Sequence, residues 1–244
     1  MTRTTFQEEA NKLRAKLQAS ERYVPITEEE YHALQVRQFC ELDRRAQENF
    51  RPDLSRLGLH ESELQLTWKA VKPGVSDGDK ARVEVEERYR QGYGMIFLSG
   101  TYGQGKTLIG KILIATAHRD GKRAAYANVS AVLDDIRLAF DEPEHKTTEL
   151  LRRMEFWSNR DALFLDELDK ANDTAWAQER IFELLDKRYT LAIREEALTV
   201  IASNGDTGAL SGYLKSRLHD RRFGGILHLN GADGRQSAPD GWKF

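Results

Sequence analysis

Ile96-Phe97-Leu98-Ser99-Gly100-Thr101-Tyr102-Gly103-Gln104-Gly105-Lys106-Thr107-Leu108-Ile109-Gly110 reads as a short apolar strand, a G-x-x-x-x-G-K-T loop and a helix that begins at the lysine. The glycines let the backbone curl so that successive N–H groups point into one concavity, and a helix N-terminus completes that nest; both favour phosphate. Lys106 can reach the β and γ phosphates of a nucleotide, while the Thr107 hydroxyl can ligate the magnesium that bridges them. The stretch from Gly100 to Leu108 is therefore the expected ATP-binding loop, with Mg as its metal.

Around this loop the pattern is strand and helix by turns. A helix is expected over 79–91 before the loop and over 106–118 after it, then a strand at Arg123–Asn128. Ser130 can cap a helix running through Phe140, and another helix spans 147–157. Ala162-Leu163-Phe164-Leu165-Asp166 is a buried type of strand, followed by a helix over 174–193, a strand over 198–203, a helix near 213–222 and a last strand over 226–229. Such alternation requires an α/β fold, a parallel sheet covered on both faces, with the nucleotide at the C-terminal edge of the strands.

The strand ending in Asp166 delivers a carboxylate to that edge, where it can hold magnesium through water. Glu167 follows at once, and an acid in that position can polarise the attacking water, as hydrolytic motor-type ATPases require. Asp169 and Lys170 read as a helix-opening pair. Asn204 ends the next strand, where its amide would lie beside Glu167 and orient the same water. Ser216-Arg217-Leu218-His219-Asp220-Arg221-Arg222-Phe223 is dense in cations but ends in an apolar anchor. An arginine that stabilises transition-state charge is often supplied by a neighbouring subunit, and Arg221 is favoured over Arg217 for that task.

With 40% hydrophobic and 31% charged residues and a formal net charge of -2, the 244-residue chain has no basic excess, so nucleic acid would be met by a local patch. Cys40 is the single cysteine, which fits a reducing compartment, and no Cys/His cluster suggests zinc. There is no apolar run long enough for a membrane span and no signal-peptide pattern at Met1–Glu9, so a cytoplasmic location is expected. Phe6, Ala10, Leu13 and Leu17 mark an amphipathic helix, and Thr27-Glu28-Glu29-Glu30 is a capping box for a second helix reaching Phe50. Two helices bury little area alone, so residues 1–58 are expected to dock on the chain's own ATPase domain or on another protein, as a helical partner-binding piece and linker ahead of an ATPase domain over 59–244.

Taken in order, these motifs resemble those of the AAA+ ATPases, and within them the DnaC-type bacterial helicase loaders and the IstB-type transposition helpers. Gly100–Thr107 is similar to their Walker A, Phe164-Leu165-Asp166-Glu167 to their Walker B, Ile201-Ala202-Ser203-Asn204 to their sensor 1 and Ser216–Arg221 to the box bearing the arginine finger. Arg235 lies where their sensor 2 arginine would fall. The resemblance implies a P-loop AAA+ parallel sheet between helices, without a C-terminal helical lid, beside a small all-α N-terminal domain. It also implies single-stranded DNA contacts on the helix pair after the second strand. There Phe140 matches an aromatic position, either stacking on a base or packing in the core, and Arg137, Lys146, Arg152 and Arg153 can meet phosphates. The function implied is ATP-dependent loading of a replicative helicase by a homo-oligomer on single-stranded DNA. The alternatives are an ATPase helper of a transposase and an ATP-gated adaptor with little hydrolysis. No base-reading residue is identifiable.

Overall fold

The computed structural model describes residues 57–71, 77–140, 146–204 and 212–231. The expected N-terminal helices and Arg235 lie outside these residues. Among them, five strands form one parallel sheet: β1 (Gly94–Ser99), β2 (Ala124–Asn128), β3 (Ala162–Asp166), β4 (Leu198–Ala202) and β5 (Gly224–His228), in the order β2-β3-β4-β1-β5. The helices are α1 (Gly78–Gln91), α2 (Lys106–Arg119), α3 (Val129–Arg137), α4 (Lys146–Ser158), α5 (Ala175–Ile193) and α6 (Gly212–Leu218). Short 3-10 turns occupy Glu61–Gln65, Trp68–Ala70, Leu138–Phe140 and Leu168–Asp173. No described helix is long and apolar enough to cross a membrane.

Period-two alternation in β1 distributes the core. Met95 and Phe97 join the layer formed by α3, α4, α5 and α6, whereas Ile96 and Leu98 join the layer formed by α1 and α2. All residues of β1, β3 and β4 are buried, as strands covered on both faces must be. Leu57 and Leu59 pack into the α1–α2 layer, so this core already includes a residue before the boundary expected at 58/59. Gly110 lets α2 lie directly on the sheet: a Cβ there would stand 2.4 Å from the Phe164 ring.

Three expected boundaries shift for local reasons. α3 starts at Val129, so Ser130 lies inside the helix rather than capping it. The same segment changes to a 3-10 turn over Leu138–Phe140. α6 ends at Leu218 rather than near Arg222, because Asp220 accepts the Arg222 N–H (3.2 Å) on its side chain and the Phe223 N–H (3.0 Å) on its carbonyl, offering the backbone a turn instead of a helix.

Arg188 on α5 is fully buried, an unexpected place for a guanidinium. It donates to Thr199 Oγ1 (2.8 Å), Leu198 O (2.6 Å) and Ser158 O (2.7 Å), and also to Arg160 O. These acceptors lie at the N-terminal end of β4 and at and just after the end of α4, so one side chain ties three segments at the sheet edge opposite the loop. Burial lowers its pKa to about 9, which leaves it charged at neutral pH. Arg188→Leu would fill much of the space yet orphan these oxygens. A loss of about 3 kcal/mol, read as a lower urea midpoint, is the expected outcome.

Candidate functional site

Each parallel strand points its C-terminal end at the same rim, and β1, β3 and β4 deliver the residues of interest there. In the loop after β1, Gly105 adopts φ +89, a left-handed conformation that suits glycine, and a Cβ at that position would meet nothing within 4 Å. The chain then enters α2 with Lys106, buried at 5% exposure, folded back across its own loop. Its Nζ donates to Gly100 O and Thr101 O, each at 2.7 Å. Thr101 and Tyr102 are exposed, Gly103 and Leu108 are half-buried, and Gln104 is buried against Gly100.

The next residue of α2 bridges to β3: Thr107 Oγ1 donates to Asp166 Oδ2 at 2.7 Å. A hydroxyl and a carboxylate in contact beside a nest of amides and a lysine are hard oxygen donors suited to magnesium next to phosphate, so these residues fit a magnesium nucleotide. Lys106 and the loop amides would hold the phosphates; Thr107 and Asp166 would hold the metal. The Tyr126 hydroxyl, from β2, donates to the same Asp166 Oδ2 at 2.9 Å. Burial, then the adjoining Asp166 charge, pushes its phenol well above the ordinary value, so it stays protonated. Asp166 Oδ1 accepts the Glu167 N–H at 2.9 Å.

Glu167 has φ 57 and ψ 46, a left-handed backbone that costs a non-glycine residue about 1–2 kcal/mol. That turn swings the chain from β3 into the 3-10 segment and keeps the Glu167 carboxylate at the rim, where Lys170 Nζ pairs with it at 2.7 Å. Asp169 braces the neighbouring strand end, accepting from Ser203 Oγ (3.2 Å) and from the Asn204 N–H (3.0 Å). The structure thus brings Lys106, Thr107, Asp166, Glu167 and Asn204 to one rim.

The arginines divide. Arg217 is held within its own chain, its guanidinium over the rings of Tyr189 (4.7 Å) and Tyr213 (4.5 Å) and donating to Tyr213 Oη (2.7 Å). Arg222 pairs with Asp220 at 2.8 Å and holds that carboxyl down to about 2. Arg221 is exposed, and its side chain makes no hydrogen bond or ion pair among the described residues. Its backbone is fixed all the same: Arg88 of α1 donates to Arg221 O (3.1 Å) and Arg222 O (2.9 Å).

The residues expected at DNA fall in two groups. Phe140, 39% exposed, meets Trp176 edge-on at 6.1 Å, and Arg137 lies over the same indole at 5.0 Å while pairing with Asp134. Arg152 pairs with Glu149 (2.6 Å), and Arg153 with Glu149 (2.7 Å) and Asp135 (2.5 Å), so part of their charge is already answered. Lys146 opens α4. Arg152, Arg153, Phe156 and Trp157 wall a groove of about 450 Å³ that runs to Tyr126 and Asn128 at the end of β2.

Sequence reasoning missed Tyr126 and gave Asp169 a lesser part. Tyr126 reveals itself only through register, which sets it beside Phe164, two residues before Asp166. Asp169 has a stabilised charge: burial opposes it, but the hydrogen bonds from Asn204 and Ser203 outweigh burial and hold the carboxyl below its ordinary 3.8. The brace is therefore present above that value and is lost only as pH falls through the lower folded value. Asp169→Ala at neutral pH is expected to speed hydrogen exchange at the Asn204 amide by about tenfold, with α1 and α2 unaffected.

No curated protein matches the chain. Among solved structures it is similar to the replication initiator DnaA bound to AMPPCP and single-stranded DNA, at 22% identity and TM-score 0.55 over 71% of this chain and 51% of that one. It is similar to domain III of the Thermotoga maritima replication initiation protein DnaA at 19% identity and TM-score 0.53, over 70% of this chain and 68% of that one. It is similar to DnaI at 17% identity and TM-score 0.52, over 72% of this chain and 94% of that one. The chain spans half, 50%, of the length of a DNA replication initiation factor and of the Aquifex aeolicus DnaA that it also matches. At such identities the likeness is one of fold. The sequence model of the ATPase family associated with various cellular activities (AAA) matches residues 96–224, more than half of the 244 residues, and runs from the loop strand through Asp166 and Arg221 to the start of β5. The chain belongs to that AAA ATPase family.

Proposed function

We propose that this chain is an ATP-hydrolysing loader that places a ring-shaped replicative helicase on DNA. The observation that carries the ATPase half is the contact of Thr107 with Asp166 at the loop, with Glu167 next in the chain and Asn204 tied to the same rim. Support for the loader half comes from the ordered motifs and from a fold shared with DnaI and with a DnaA bound to single-stranded DNA. Residues 1–58 would grip the helicase and 59–244 would form the ATPase domain.

Bound magnesium would neutralise charge on the nucleotide phosphates. Lys106 and the loop amides hold those phosphates, Thr107 and Asp166 orient the metal, Glu167 takes a proton from the attacking water, and Asn204 positions that water. Arg221 serves the site of the next subunit, because it alone of Arg217, Arg221 and Arg222 has a side chain uncommitted among the described residues. Arg235 senses nucleotide in cis. Phe140, Arg137, Lys146, Arg152 and Arg153 face single-stranded DNA.

One observation favours a second reading, an ATP-gated adaptor with little turnover: Lys170 occupies the Glu167 carboxylate. Glu167→Gln decides between them. A loader keeps ATP bound and loses turnover by about 10²-fold or more, whereas an adaptor shows no turnover to lose. Arg221→Ala is expected to be inactive alone but to regain turnover when mixed with inactive Glu167→Gln subunits, since a Glu167→Gln subunit still offers its Arg221 to a neighbour whose Glu167 is intact. Light scattering of the full chain with single-stranded DNA and the host's replicative helicase tests loading. An ATP-dependent complex that needs residues 1–58 supports it, while DNA binding without helicase capture favours the transposase helper.

A further inference from the structure

Tyr126 sits on edge strand β2, in register with Phe164 and stacked on it, with ring centroids 5.5 Å apart and 6° between planes. A phenylalanine would satisfy that stacking. The hydroxyl has a separate use: it reaches Asp166 Oδ2 at 2.9 Å, alongside the Thr107 hydroxyl at 2.7 Å. An ionised carboxylate offers about four lone-pair sites, two on each oxygen. Two hydroxyl donors occupy Oδ2 and the Glu167 N–H takes one site on Oδ1, which leaves a single Oδ1 site for an incoming donor such as a metal-bound water.

We propose that Tyr126 is a positioning residue for the metal site: its hydroxyl locks the Asp166 carboxylate in the one orientation that keeps Thr107 engaged and presents the remaining Oδ1 site to the metal. The inference rests on the reading of Thr107 and Asp166 as the magnesium residues. Without the phenol donor, only Thr107 would restrain Oδ2, and the carboxylate could turn away as the metal arrives. Tyr126 also lines the groove bounded by Arg152, Phe156 and Trp157, while its hydroxyl touches the Asp166 carboxylate.

The test is ATP affinity by calorimetry on the full chain, with excess Mg²⁺ and again with EDTA, for the wild type and Tyr126→Phe. The expected result is a loss of about tenfold in affinity with Mg²⁺, no change with EDTA, and an unchanged melting temperature. Mn²⁺ titration of the ADP complex, followed by electron paramagnetic resonance, should show the same weakening. In an Asp166→Asn background, Tyr126→Phe should add nothing. Equal affinities with Mg²⁺, a gain, or the same loss with and without metal would each overturn the inference. If the wild type itself shows no metal-dependent ATP binding, the underlying assignment of the metal site falls with it.

Discussion

The hydrogen bond from Thr107 to Asp166 joins the first turn of α2 to the last residue of β3, and the rest of the rim takes its position from that contact. Thr107 can reach Asp166 only if α2 lies close to the sheet, which the missing side chain at Gly110 permits over Phe164. Asp166 stands at the rim because β3 is buried along its whole length and cannot shift register without exposing its apolar residues. A single 2.7 Å contact thus reports on packing throughout the α2 layer.

Opposite ends of the sheet are held by different chemistry. At the N-terminal end of β4, Arg188 spends its donors on carbonyl oxygens and a threonine hydroxyl, which anchors α5 and the segment after α4. At the C-terminal ends, Asp166 and Asp169 gather hydroxyl and amide donors from neighbouring strands. A buried cation secures the scaffold, while the carboxylates organise the site. The strained Glu167 backbone lies on the functional side, where the chain must turn at once to keep two consecutive acids at the rim.

Arginine chemistry separates residues that look equivalent in a linear cationic run. Arg217 is absorbed by two tyrosines and Arg222 by Asp220, whereas Arg221 points out of a turn that Arg88 holds from α1. The basic residues on α3 and α4 show a similar division. Most are paired with carboxylates on the same helix or the adjoining one, so nucleic acid would have to compete with Glu149, Asp134 and Asp135 for them.

The sequence by itself determined the strand–loop–helix at 96–110, the alternation that demands a parallel sheet, and the placement of Asp166, Glu167 and Asn204 at strand ends. These follow from spacing and hydrophobic period, which are properties of neighbouring residues. Tertiary structure alone decided that Tyr126 donates to Asp166, that Asp169 braces Asn204, that Arg88 fixes the turn bearing Arg221, and that Arg188 is buried. Each depends on strand order and register between segments far apart in the chain, and β2-β3-β4-β1-β5 is one of several orders that the same alternation allows. The helix end at Leu218 was likewise settled by the turn contacts of Asp220 rather than by helix propensity, because at a helix end a single side-chain acceptor can outweigh the next backbone bond.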